Sequence, residues 1–204
     1  LLFFDEVQSS DRALNSLKYF QEQAPEYHIV AAGSLLGITL SGPGSFPVGK
    51  VNFLDLYPLS FFEFLEAVGA KDLKDLVQSR QSPDPYPDPL HKELLRHLRS
   101  YYFTGGMPEA VYYFASSGDW ETVREVHNEI LGAYVLDFAK YAAGPDIPKL
   151  RMVWDSIPAQ LSKENKKFVF SVLKKSARMR DFENAIQWLE KAGLIHRIFR
   201  VNTA

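Results

Sequence analysis

Two adjacent carboxylates, Asp5 and Glu6, follow directly on four apolar residues, Leu1-Leu2-Phe3-Phe4. A short run of bulky apolar residues stopped by acids reads as a parallel strand buried on both faces. Such a strand carries its backbone to the C-terminal edge of the sheet, where ligands bind in open α/β folds. The first acid to emerge there can hold a magnesium ion on nucleotide phosphates, usually through water. The second can polarise the water that attacks a γ-phosphate. This is the Walker B pattern, with Asp5 as candidate metal and cofactor ligand and Glu6 as candidate catalytic base. Taken alone, the string also fits two solvated acids at a strand end, since apolar-apolar-acid-acid strings are common.

Ser34 is the next candidate. It follows the apolar run His28–Ala32 and Gly33, about 28 residues after Glu6, which leaves room for one helix between two neighbouring strands. A small polar residue at that edge can sense the γ-phosphate and orient water; the same serine could instead cap a helix starting at Leu35-Leu36. Gly44-Ser45-Phe46-Pro47-Val48-Gly49-Lys50-Val51 imitates a phosphate loop but lacks the final hydroxyl residue and is not flanked by a strand and a helix. The five histidines show no metal-binding spacing, there is no cysteine, and no nucleophile elbow of the G-x-S-x-G kind occurs. Lys163, Lys166, Lys167, Lys174, Lys175, Arg178 and Arg180 share one stretch with a single acid, Glu164, and with Phe168 and Phe170. They fit either a track for nucleic-acid phosphates or a solvated helical face with two core phenylalanines.

The elements that must position these groups follow from periodicity. Ala13, Leu14, Leu17 and Phe20 make a helical stripe over Asp11–Gln23, with Ser10 or Asp11 as cap. Strand, helix, strand is the βαβ unit of a parallel sheet, and Val51–Tyr57 is the third strand expected, closed by Pro58 and followed by a helix from Ser60. Ser82–Pro89 holds four prolines and excludes regular structure. Helices are expected over Leu90–Phe103, Pro108–Ala115, Trp120–Tyr141 and Pro148–Leu161, the last kinked or ended by Pro158. A helix over Asp181–Ala192, Gly193 as its C-cap and an alternating strand at Leu194–Val201 outline a winged helix-turn-helix.

The 204 residues carry a net charge of −2 with a pI of about 6.2, which excludes a uniformly basic nucleic-acid binder. The charge is unevenly placed: residues 149–204 are net +7 and residues 1–148 net −9. Hydrophobic residues at 46% and charged residues at 24% describe a folded globular chain with no run long enough for a membrane helix. With no signal peptide visible, the expected compartment is the cytoplasm. The start without methionine and the stop after an apolar run both read as cuts through a longer protein.

Leu1-Leu2-Phe3-Phe4-Asp5-Glu6-Val7-Gln8, Ala32-Gly33-Ser34 and Leu56-Tyr57-Pro58-Leu59-Ser60-Phe61-Phe62-Glu63-Phe64-Leu65 resemble a bacterial and archaeal branch of the AAA superfamily of ATPases whose members carry domain of unknown function 4143. Gly105-Gly106-Met107-Pro108-Glu109, Asp137-Phe138-Ala139-Lys140-Tyr141, Ile157-Pro158-Ala159-Gln160-Leu161 and Trp188–Ile195 extend the likeness along nearly the whole chain. The resemblance implies an α/β fold that turns mostly helical: a partial P-loop NTPase sheet at residues 1–81, a helical region at 82–148 and a winged-helix region at 149–204. It implies ATP and Mg2+ as cofactors, Asp5 as magnesium ligand, Glu6 as base and Ser34 as sensor. Lys50 stands where the family often has an arginine able to act on a neighbour's phosphate, and keeps the charge without the bidentate fork. The expectation is an ATPase piece inactive by itself, its phosphate loop lying upstream. The alternative is a non-enzymatic module that binds DNA or a protein through residues 149–200. The other partner class is a second copy of the chain, and no membrane partner is expected.

Overall fold

The computed structural model describes residues 1–34, 49–142, 144–165, 167–199 and 201. Contacts divide the chain into two compact units: Leu1–Phe53 together with Asp137–Ala204, and Leu54–Leu136. The C-terminal region thus falls in one unit with the N-terminal strands.

In the first unit β1 (Leu2–Phe4) pairs in parallel with β2 (Ile29–Ala31), Phe3 opposite Val30. A parallel pair needs a crossover, and α1 (Asp11–Gln23) provides it. The Ser10 hydroxyl caps α1 by accepting from the Ala13 N–H at 3.3 Å. Leu14 and Leu17 turn inward, and Phe20 meets Phe4 at 5.9 Å between ring centroids. This is the βαβ start the spacing predicts.

The C-terminal part of this unit is a three-helix cluster. It comprises the last turn of α6 (Trp120–Tyr141), then α7 (Ile147–Leu161) and α8 (Met179–Lys191). Phe138 is fully buried and meets the rings of Trp154 and Trp188 edge-on, at 5.6 and 5.4 Å. That geometry suits the ring quadrupole. Leu150, Val153, Phe182, Ala185 and Leu189 complete the core. Pro158 does not end α7, which runs three residues further. The buried Gln160 side chain then holds the following loop, accepting the Val169 N–H at 2.6 Å.

The second unit is helical: α2 (Phe61–Ala67), α3 (Lys71–Ser79), α4 (Asp88–Thr104), α5 (Pro108–Ser117) and α6 as far as Leu136. Ser60 and Glu63 form a capping box at the start of α2. Phe64 and Leu65 are fully buried, Phe64 stacking on Phe114 at 5.7 Å and meeting Tyr101 at 5.4 Å. Gly105 ends α4 at φ 68°. Gly106 then lies against the backbone of Leu59, accepting its N–H at 2.7 Å, and a Cβ on Gly106 would stand 2.2 Å from the Leu59 oxygen. The Tyr101 hydroxyl donates to that same oxygen at 2.7 Å.

Two strand expectations are corrected. Among the described residues Val51–Tyr57 forms no strand: Leu54, Leu56 and Tyr57 are exposed and the sheet has two strands only. Among the described residues Leu194–Phe199 likewise makes no ladder, and no β-wing accompanies α7 and α8 there. In both places the alternation is real, but a strand exists only where a neighbour pairs with it. The Gly44–Val48 part of the phosphate-loop mimic lies outside the described residues, as do Leu35-Leu36, for which Ser34 was a candidate cap.

Candidate functional site

The backbone reverses directly after β1. The Ala32 N–H donates to the Phe4 oxygen at 2.8 Å, and the Val7 N–H donates to the Ala32 oxygen at 3.0 Å. These bonds lock the Asp5–Glu6 turn beside the residues that lead out of β2. Because the strands are parallel, Asp5, Glu6 and Ser34 emerge at one edge, the C-terminal one. All three are exposed.

Their backbone is specialised. Glu6 has φ 49° and ψ 42°, the left-handed region that non-glycine residues avoid, and no other non-glycine among the described residues has a positive φ. The Asp5 Oδ1 accepts the Glu6 N–H at 3.0 Å, which steadies the turn. Gln8 is 7% exposed, and its Nε2 donates to the Glu6 Oε2 at 2.7 Å, while its own Oε1 is buried without a hydrogen-bond partner. The last turn of α6 borders the same turn. Lys140 places its ammonium 4.6 Å from the centre of the Tyr141 ring. The Tyr141 hydroxyl, and after it the Glu6 carboxylate, holds the Lys140 pKa above its ordinary value. The Tyr141 hydroxyl is buried without a hydrogen bond of full geometry, and Lys140 and then Ser9 draw its pKa below the usual phenol range.

Asp5 suits magnesium in donor chemistry. One exposed carboxylate with room for water and phosphate oxygens is how this hard cation is commonly held. Among the described residues no group of three or more His, Asp or Glu could form an all-protein metal cage.

Lys50 is not brought to this edge. It pairs with Glu22 at 3.3 Å, in the last turn of α1, whereas the cap of α1 at Ser10 adjoins the Glu6 turn. A 13-residue helix puts about 20 Å between its ends. Sequence reasoning gave no role to Gln8, Lys140 or Tyr141, though all three lie inside motif strings. The signal for Gln8 was a lone amide two residues past an acid pair, and for Lys140 there was none, since α6 is remote in sequence.

The basic residues fall mainly on the connection between α7 and α8. Lys167, Lys174, Lys175 and Arg178 are exposed, Lys163 is half-buried, and among the described residues none of the five is ion-paired. Arg180 stands 3.9 Å from Asp181, and Lys166 lies outside the described residues. Phe168 and Phe170 pack edge-to-face at 5.1 Å, each half-buried. Arg197, by contrast, is bound between Glu183 and Glu190. No helix among the described residues is long and apolar enough to cross a membrane.

Two family models match the chain. Residues 1–65 match an AAA domain, and residues 95–204 match domain of unknown function DUF8612. The second match corrects the expected domain of unknown function 4143, which is a different domain. No curated protein and no solved structure gives a match.

Proposed function

We propose that this chain, which belongs to the DUF8612 family and opens with an AAA domain, supplies the catalytic sheet edge of a magnesium-dependent ATPase. The observation that carries the reading is the placement of Asp5, Glu6 and Ser34 at the C-terminal edge of one parallel strand pair. Asp5 would hold Mg2+, which when bound neutralises charge on the β- and γ-phosphates. Glu6, one residue further round the turn, takes a proton from the attacking water, acting as general base. Ser34 offers a hydroxyl to the γ-phosphate side of the same edge. Lys50, paired with Glu22 a helix length away, would reach only a phosphate brought by another molecule.

The test is ATP binding and turnover by the intact gene product. Glu6→Gln keeps nucleotide binding and lowers turnover by about 100-fold or more; Asp5→Asn weakens the magnesium dependence of binding. Full turnover in the Glu6→Gln protein overturns the reading.

A second reading coexists with the first: residues 149–200 contact DNA or a protein partner. The unpaired, exposed Lys167, Lys174, Lys175 and Arg178 favour it. With Lys163 and Arg180 they would make a cation track for a phosphate backbone, and Lys166 belongs to the same stretch of sequence. Binding to duplex DNA then weakens steeply with salt, and charge removal at Lys174 and Lys175 flattens that dependence by about one unit of slope per cation. Binding indifferent to salt removes the nucleic-acid form of this reading.

A further inference from the structure

We propose that Gln8 is a positioning residue for the Glu6 carboxylate, holding one oxygen so that the other faces the attacking water. The inference rests on the ATPase reading of this turn. Its starting point is that the turn does not need the Gln8 side chain for its own hydrogen bonds. The Val7 N–H is taken by Ala32, the Ser9 N–H by the Glu6 oxygen and the Ser10 N–H by the Val7 oxygen. The amide nevertheless sits in the interior, where an apolar side chain would satisfy the fold better. Its Oε1 is left buried and unpartnered, and its one hydrogen bond goes to Glu6 Oε2. Two adjacent features that disfavour folding, the left-handed Glu6 backbone and the half-orphaned Gln8 amide, converge on one carboxylate.

The chemistry suits a base. A neutral amide donor fixes the carboxylate plane without adding charge. With Oε2 occupied, Oε1 remains the acceptor for water. The charged and titratable groups that share the site are Asp5 on the same turn and Lys140 and Tyr141 from the end of α6. None of them is a hydrogen-bond partner of Glu6 Oε2, so the orienting contact is Gln8 alone among the described residues.

The experiment compares Gln8→Met with the unaltered protein, in the wild-type and Glu6→Gln backgrounds, using the intact gene product and ATP. Methionine keeps the length and removes the donor. The expected result is a fall in kcat of about 10-fold with KM for ATP unchanged. Thermal stability holds or rises, since the buried orphan oxygen is gone. In the Glu6→Gln background the same change has no further effect on turnover. Gln8→Leu, which removes the donor without adding charge, repeats the kinetic result if methionine impairs folding. Equal fractional losses in both backgrounds, or a loss carried by KM and lowered stability, overturn the inference and leave a merely structural glutamine. Glu6-dependent turnover at full rate in Gln8→Met also overturns it, leaving the ATPase reading intact. Turnover independent of Glu6 removes both together.

Discussion

The two-stranded edge and the helical unit are built from similar apolar residues and treat them in opposite ways. Phe3 in β1 is 61% exposed and Val30 opposite it 45%, whereas Phe64 and Leu65 in α2 are completely buried. The difference lies in where the partner surface comes from. A helix shows one stripe, and the next few helices of the same stretch cover it. A parallel strand has two faces and two edges and buries only what further strands and layers bring to it. Phe64 obtains Tyr101 and Phe114 from helices of its own unit; among the described residues Phe3 has one neighbour strand.

The contrast can be broken most decisively at Phe64. Phe64→Ala opens a cavity and lowers stability by about 3–5 kcal/mol in chemical denaturation. A loss near that of a surface change would mean that the helical unit is not organised around this ring. Gly106→Ala comes next. Its methyl group collides with the Leu59 backbone, and the resulting shift loosens the bond that ties the start of α2 to the α4–α5 turn. We expect about 2 kcal/mol, read from the same denaturation midpoints. Phe3→Ala closes the series at under about 1 kcal/mol, because most of that ring is already in water. A larger effect at Phe3 than at Phe64 would reverse the comparison.

What the sequence disclosed follows the same division. Asp11–Gln23 and Trp120–Tyr141 form helices over the spans their periodicity predicts, since a helix signal is local. Val51–Tyr57 and Leu194–Val201 alternate just as clearly, yet the described residues give them no ladder, because pairing depends on residues elsewhere. No reading of the sequence predicts Lys71–Ser79: it is short and charged, and none of its residues is fully buried. At the candidate site, the shared sheet edge of Asp5, Glu6 and Ser34 is legible in the sequence because strand ends mark it. The Gln8 hydrogen bond was within reach of local reasoning, whereas the approach of Lys140 was not, since it depends on how the end of α6 packs in its unit.

On the ATPase reading, the left-handed backbone at Glu6 sets the interests of folding and chemistry against each other at one codon. Glycine or asparagine would relax that turn, which with glutamate is strained by about 1 kcal/mol. Any lineage in which the carboxylate ceased to matter would therefore gain by losing it. On the ATPase reading, position 6 is therefore where loss of that activity would register first, as a change from glutamate to glycine or asparagine.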